Sequence, residues 1–374
     1  MAQMNLRTNL VMGSVSRARF EPDLKPGRTI DFPTRSQVKI QNYSYSTDLT
    51  INPYSEVSST YNIDQVKAAT VNIDPLQVLQ GFELDPSGQL SDEIGYQLAR
   101  NIDQYTISKA LSRSYSTLAA GTLSASNTFE AFTQIYARLT NQRAREGVRC
   151  VVAPPDLAML LANTDKANGF NLADATLKNG YVGNTSAGFR VYVTQETPYS
   201  VTLSLPTNPT AGDTFSLKGY TWTFVANGTA ASAGEISIGG NAAATQAIVQ
   251  DAINGTGTPG ASTYIDFDEN TRFDLSNAQV ACGNFSANVA TITSYGTCSP
   301  TETFTATGNV FGTNVGQVLF TVQNVIDLTI QSAPKIDIRY PAANVSYNMI
   351  GTSQFGSDVF YLDRPSVVKM TFNT

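Results

Sequence analysis

A long amphipathic segment, residues 88–118, constrains the fold of this 374-residue chain more than any other stretch. It reads GQLSDEIGYQLARNIDQYTISKALSRSYSTL, and Ile94, Leu98 and Ile102 recur at the spacing of one helix face. Ser91 is a suitable N-cap residue, and the acidic residues after it suit the positive end of the helix dipole. The pattern predicts one helix, about 40 Å long, over residues 88–118.

The segment before this helix alternates between apolar and polar residues, as β-strands do. The alternation recurs in four short stretches, residues 29–32, 38–40, 61–63 and 69–73. The serine-rich stretch between the halves, residues 47–60, is interpreted as the tip of a long β-hairpin. Because an isolated hairpin is marginally stable, we expect it to find its partner surface on another subunit.

The segment after the helix alternates strands and helices, which is typical of an α/β domain. Asn127 and Glu130 form a capping-box pattern that starts a second helix, and Gly147 ends it. Residues 148–153 and 188–195 are strand candidates, with a helix beginning at Asp156 between them. The strand candidates near the C-terminus are residues 325–330, 336–340, 359–362 and 367–372.

The charge of −6 is concentrated in residues 201–321. This segment contains two basic and eight acidic residues, a net charge of −6, so the rest of the chain is neutral. It also holds 14 of the 27 glycines, a hairpin signal around Lys218 and a helical pattern over residues 241–254. The break in composition predicts a small, separately folded α+β module inserted into the preceding domain.

Composition argues against membrane and general nucleic-acid binding. A chain with 14% charged residues and a modest negative charge has no general attraction to DNA or to anionic lipid. No apolar run has the length of a membrane span, and residues 1–20 lack the apolar core of a signal peptide. We therefore expect a soluble protein made in the cytoplasm.

No motif for catalysis or cofactor binding stands out. The sequence has no histidine, and no cysteine pair has zinc spacing. Asp266, Asp268 and Asn270 imitate the start of a calcium loop, but the positions that need glycine and glutamate hold Thr271 and Asn277. We predict no catalytic, cofactor or metal site. The three cysteines are expected to be free thiols, although a bond between the second and third, residues 282 and 298, stays open.

Charged and aromatic residues on the hairpin and near helix ends are candidates for subunit contacts. They are Asp48, Asn52, Tyr54, Glu56, Tyr61, Arg100, Arg138, Arg143 and Arg145. Three aromatic residues of the acidic segment, Tyr220, Trp222 and Tyr264, have two interpretations. A place in the core of the module is favoured, and contact with a glycan or a decoration protein is the alternative.

The order of these elements resembles the Hong Kong 97-like fold of the major capsid proteins of tailed double-stranded DNA phages. The likeness rests on hairpin, helix, α/β and closing-strand sequences. They are GRTIDFPTRSQVKI, KAATVNID, LSDEIGYQLARNIDQYTISKAL, RCVVAPPDLAMLL, GYVGNTSAGFRVYVTQETP and DVFYLDRPSVVKMTF. The sequences AGDTFSLKGYTWTF and EISIGGNAAATQAIVQDAING resemble a small accessory module of phage structural proteins.

The resemblance implies an α+β fold with six parts. They are an N-terminal arm (1–28), an extended loop with flanking strands (29–73), a peripheral domain with the spine helix (74–126), an axial domain (127–200), an inserted α+β domain (201–321) and a return segment (322–374). For the basic arm, a flexible terminus remains the alternative for its first few residues.

The resemblance also implies a structural role rather than an enzymatic one. It implies self-assembly into hexamers and pentamers of an icosahedral head in the virion, assembled in the host cytoplasm around double-stranded DNA that is contacted non-specifically. Portal, scaffold and decoration proteins are further implied partners, and a membrane is not. A tail-tube or surface-layer protein is the first alternative, and an enzyme that acts on carbohydrate through carboxylates is the second.

Overall fold

The computed structural model describes residues 10–19, 29–35, 40–46, 48, 51, 56–73, 89–124, 126–167, 181–184, 187–339 and 347–374. The helices are α1 (Met12–Val15), α2 (Gln89–Ser112), α3 (Thr128–Asn141), α4 (Pro155–Ala167), α5 (Ala242–Asn254) and α6 (Glu269–Asn277). The early strands are β1 (Thr29–Arg35), β2 (Glu56–Asn62), β3 (Gln65–Ile73), β4 (Ser116–Thr122), β5 (Arg149–Ala153), β6 (Tyr181–Asn184), β7 (Arg190–Val193) and β8 (Pro198–Ser204).

The later strands belong mainly to the glycine-rich segment and the C-terminus. They are β9 (Thr214–Leu217), β10 (Tyr220–Val225), β11 (Glu235–Ser237), β12 (Ala281–Cys282), β13 (Val289–Tyr295), β14 (Thr301–Glu302), β15 (Val310–Phe311), β16 (Val315–Val322), β17 (Asp327–Arg339), β18 (Tyr347–Asp358) and β19 (Val367–Asn373).

A 10-stranded sheet forms the centre of the fold, and β16 is its central strand. β16 pairs with β8, β5 and β19. Phe320 points into a core that includes α3, where its ring lies 5.0 Å from that of Phe132. The next residue back, Leu319, belongs to a different cluster with Ile107 and Leu111 of α2. Both faces of β16 are therefore buried, which explains its nearly continuous apolar sequence.

A second sheet, in the order β17-β18-β3, supports the first half of α2. Ile94, Leu98 and Ile102 are buried against Met349 and Phe355 of β18. The helix approaches so closely that a Cβ added at position 351 would lie 2.3 Å from Ile94 Cγ2. The predicted helix face is confirmed by this packing.

The end of the long helix differs from the sequence prediction. α2 ends at Ser112, and the predicted helical residues 116–118 lie in β4, which pairs in parallel with the C-terminal strand β19. Ser91 lies inside α2 rather than at its cap. α2 ends early because the residues after it form β4, which pairs with β19 on the side that β16 leaves open.

The acidic segment is not the separate module that its composition suggests. β8 and β16 straddle the expected boundaries at residues 201 and 321, and both belong to the central sheet. β12 and β13 extend the same sheet into the segment, and one apolar cluster contains both Phe320 and Trp222. Charge is a property of the surface, whereas backbone pairing and apolar contacts decide which strands fold together. Only the four-stranded sheet β11-β10-β9-β14 and the helices α5 and α6 lie wholly inside the segment.

Several shorter predictions can be compared directly with the structure. The hairpin β9–β10, the helix α5 and the strands β5 and β19 are confirmed. The Asn241 side chain caps α5, which was not predicted. The capping box at residue 127 is not formed: the Asn127 side chain donates to Thr122 O and accepts from Ser124 N instead. The predicted strand 359–362 is a turn, while β18 had no sequence signal.

We predict that Gly351→Ala lowers the free energy of unfolding by about 1–3 kcal/mol, because the new methyl group forces α2 away from β18. Urea unfolding of the isolated chain measures the change. Gly240→Ala is the matched control, since a Cβ there meets nothing within 4 Å. Equal stability of the two variants would contradict the close packing of α2 on the sheet.

Candidate assembly surfaces

A hairpin base is present, but its second strand is not where the sequence placed it. Residues 56–60, assigned to the tip, lie in β2, and residues 69–73, assigned to the second arm, lie in β3 and pair with β18. β1 and β2 pair antiparallel from Thr29 opposite Asn62 to Arg35 opposite Glu56. Tyr61 fixes the base to the body of the chain: its side chain is fully buried, its hydroxyl donates to Gly356 O at 2.6 Å, and its ring packs on Phe360. Tyr61 was expected at a subunit interface, and this expectation is wrong because the residue is buried within its own subunit.

Beyond the base, the hairpin exposes large apolar side chains. Ile40, Tyr43, Tyr45 and Ile51 are 94%, 62%, 97% and 91% exposed. Large apolar side chains exposed this close together in the sequence are typical of interaction surfaces. Asp48 lies among them and is also exposed. Of the remaining candidates on the hairpin, residues 52 and 54 lie outside the described residues, and residue 56 is placed only by its register in β2.

Arg100 was also expected to contact a neighbour, but it belongs to a network inside the chain. Its Nε donates to Glu196 at 2.6 Å, and Gln104 Nε2 donates to the second oxygen of that carboxylate at 2.5 Å. Gln279 Nε2 donates to Gln104 Oε1 at 2.6 Å, and Gln104 Nε2 also donates to Asn277 O. The network joins α2 to the acidic segment, so a role for Arg100 in subunit contact is not supported.

The three arginines near the end of α3 have different environments. Arg138 is half-buried and donates to Thr117 O at 3.0 Å. Arg143 is exposed and has a φ of 55°, which places it at a tight turn after the helix. Arg145 is exposed as well, 3.9 Å from Asp363. Arg143 and Arg145 are therefore accessible to a partner, and their role in subunit contact stays a prediction.

The aromatic residues of the acidic segment are mainly core residues. Trp222 and Tyr264 are 1% and 2% exposed, and Trp222 stacks on Phe215 with ring centres 5.1 Å apart. Only Tyr220 reaches the surface, where its hydroxyl donates to Asp274 at 2.7 Å. The favoured interpretation, a place in the core, is confirmed for Trp222 and Tyr264, and a glycan or decoration contact through them is excluded by their burial.

Part of the N-terminal arm packs on the long helix. The backbone N–H groups of Val11 and Met12 each donate to the Asp103 carboxylate at 3.0 Å. Arg17 holds the other end of this segment, because its guanidinium donates to both oxygens of Asp327 at 2.7 and 2.8 Å. Residues 10–19 are therefore part of the folded body, and sequence periodicity gave no signal for this docking.

The polar residues tested for metal binding have structural roles. Asp268 caps α6 by accepting from Thr271, and Asp266 pairs with Arg272. Within the described residues, no group of three or more histidine, cysteine or acidic side chains is placed to hold a metal ion. The three cysteines are free and buried. In the part of the chain that is described, none of the helices combines the length and apolarity of a membrane span.

Comparison of the fold with solved structures gives matches over almost the whole chain. A structure from Mycobacterium phage Che8 matches with a TM-score of 0.53 at 11% identity, covering 97% of this chain and 90% of that one. The capsid of cyanophage P-SCSP1u matches with a TM-score of 0.51 at 12% identity, covering 96% and 86%. The chain has the Hong Kong 97-like capsid fold.

A third match to this fold is the capsid of Ralstonia phage GP4, with a TM-score of 0.50 at 9% identity, covering 96% of this chain and 86% of that one. No model of a protein family matches the sequence, and no curated protein matches it. The Hong Kong 97-like fold is thus found in chains that share only 9–12% of their residues with this one.

We predict that the carboxyl group of Asp103 makes the unassembled subunit less stable as the pH rises. Burial raises the pKa of Asp103 to about 7. The folded chain therefore holds a proton that the unfolded chain loses near pH 4, and this contribution to stability disappears between about pH 4 and pH 7. Other groups also titrate in this range, so the wild type is compared with Asp103→Asn. Between pH 5 and pH 8, the free energy of unfolding in urea should fall less in the variant than in the wild type, by a few kcal/mol at most. Equal losses would contradict the assignment.

Proposed function

We propose that this protein is a major capsid protein, which self-assembles into hexamers and pentamers of an icosahedral phage head enclosing double-stranded DNA. The observation that carries the proposal is the combination of a full-length Hong Kong 97-like fold with a hairpin whose apolar side chains face solvent in the single subunit. The role is structural rather than catalytic.

The hairpin supports the proposal because its base is fixed to the body of the chain and its described apolar side chains are exposed. Tyr61 and the β1–β2 pairing hold its direction, so a neighbour meets it in a defined position. Fully burying a large apolar side chain stabilises an interface by about 1.5–3 kcal/mol. Four such side chains, repeated on every subunit, stabilise a closed shell through many modest contacts.

The charge distribution supports a shell around nucleic acid without sequence recognition. Outside residues 201–321 the chain is neutral, so a wall built from it contains DNA without binding it strongly. The shell is the location of the protein in the virion, and it is assembled in the cytoplasm of the host.

Electron microscopy of the expressed protein tests the proposal. The proposal predicts isometric, closed particles or their hexameric and pentameric capsomers. Tubes or flat sheets would favour a tail-tube or surface-layer protein. A subunit that stays monomeric at every concentration and ionic strength would contradict any assembly role.

We predict that Ile40→Ser, Tyr45→Ser and Ile51→Ser together raise the concentration needed for assembly more than about tenfold, because each change removes apolar surface from a contact. The unfolding midpoint of the unassembled subunit should not change, since these side chains are exposed. Sedimentation measures the assembly. Val310→Ser, at a residue that is 46% exposed on β15, is the control and should assemble normally. Normal assembly of the triple variant would contradict the proposed contact of the hairpin.

A further inference from the structure

A groove rich in arginine and tyrosine lies where α2 ends. It has a volume of about 550 Å³ and is formed by the end of the helix, the turn after α3 and the loop between β18 and β19. We call it the arginine groove, and its main lining residues are Arg113, Arg143, Arg364, Tyr115, Tyr361 and Leu362. Among the described residues that line it, no carboxylate is present.

The apolar side chains of the arginine groove are unusually exposed. Tyr115, Tyr361 and Leu362 are 61%, 71% and 49% exposed. Tyrosine and arginine are the residue types that contribute most to the binding energy of protein interfaces. The groove therefore has the composition of an interface centre, although it faces solvent in the single subunit.

The cations of the groove are available to a partner. Arg143 is exposed, and the Arg364 guanidinium lies 5.8 Å from the ring centre of Tyr361. Arg364 Nε and Gln142 Oε1 are buried without a hydrogen-bond partner. Arg113 pairs with Asp358 at 3.1 Å, and this pair is partly exposed. An arriving carboxylate would form charge-assisted hydrogen bonds with the exposed guanidinium of Arg143 and the partly exposed guanidinium of Arg364.

The chain also carries an exposed surface whose carboxylates complement the arginines of the groove and whose aromatic side chain complements its tyrosines. On α6, Glu269 and Asp274 are exposed, together with Asp268 at its start. Phe273, 55% exposed, projects beside them. We call these four residues the acidic helix face. They belong to the segment that carries the whole net charge of −6.

We propose that the arginine groove of one subunit receives the acidic helix face of an adjacent copy of the chain. Phe273 packs against the tyrosines, and the carboxylates pair with Arg143 and Arg364. This inference rests on the proposed self-assembly. Because the two surfaces differ, the contact is heterologous, which is the kind of contact that the rings of hexamers and pentamers use.

Two other occupants fit less well. The hairpin region, residues 29–73, contains three basic and four acidic residues, so it lacks the negative charge that three arginines favour. The phosphates of double-stranded DNA would pair with the arginines, but its bases are stacked inside the duplex and are not offered to Tyr361 and Leu362. The acidic helix face supplies both kinds of contact.

Reciprocal charge exchange tests the proposal in the full chain. The groove variant carries Arg143→Glu and Arg364→Glu, and the helix variant carries Glu269→Lys and Asp274→Lys. Each should raise the concentration needed for assembly at least about tenfold, because like charges then oppose each other. The chain with all four changes should return to within about threefold of the wild type, because the pairs attract again. Thr258→Lys adds a positive charge at another exposed site of the same segment and should have no effect.

The outcomes separate this inference from the proposed function. A wild-type chain that forms no particles contradicts both. If wild-type particles form, normal assembly of either two-residue variant contradicts the groove contact alone, and so does failure of the four-residue variant to recover. A groove variant that forms normal shells but loses nucleic acid would assign the groove to DNA.

Thermal unfolding of each unassembled variant separates lost assembly from lost folding. If a charge reversal prevents folding, a milder variant replaces it. The milder groove variant carries Arg143→Gln and Arg364→Gln, and the milder helix variant carries Glu269→Gln and Asp274→Asn. Each milder pair should raise the assembly concentration about threefold or more and should weaken the salt dependence of assembly. Unchanged salt dependence would contradict the proposal.

Discussion

Burial of β16 on both faces is the constraint on which the rest of the structure depends. One face packs against α3 through Phe320, and the other packs against the end of α2 through Leu319. Because β8, β5 and β19 all pair with this strand, the acidic segment, the α/β domain and the C-terminus are fixed to one sheet. A rigid body of this kind allows the hairpin and the groove to be presented in defined directions.

The surfaces that remain exposed explain how such a body can serve as a building block. The single subunit leaves Ile40, Tyr45 and Ile51 in water at one site and Tyr361 at another. These side chains cost solvation free energy in the isolated chain and regain it in an assembly. Most apolar residues of the chain are buried in the sheet and the helix contacts, whereas these remain exposed.

Much of the fold could be predicted from the sequence, because local periodicity determines it. The face of α2, the β9–β10 hairpin and the helix α5 follow from neighbouring residues. Features set by distant partners could not be predicted. α2 ends early because β4 pairs with a strand some 250 residues later in the chain. β18 lacks an alternating sequence pattern because its buried face includes Gly351, against which the helix packs, and the buried Ser353.

The candidate contacts could be predicted only in part, because the exposure of a side chain depends on tertiary packing. Tyr61 and Arg100 were expected at the surface but make their contacts inside the subunit, whereas the exposed Tyr361 had no sequence signal. Hydrogen exchange of residues 40–51, compared between the unassembled subunit and the sedimented particle, tests the central claim most directly. The account predicts slow exchange only in the particle, where a neighbouring subunit covers this stretch. Equally fast exchange in both states would contradict it.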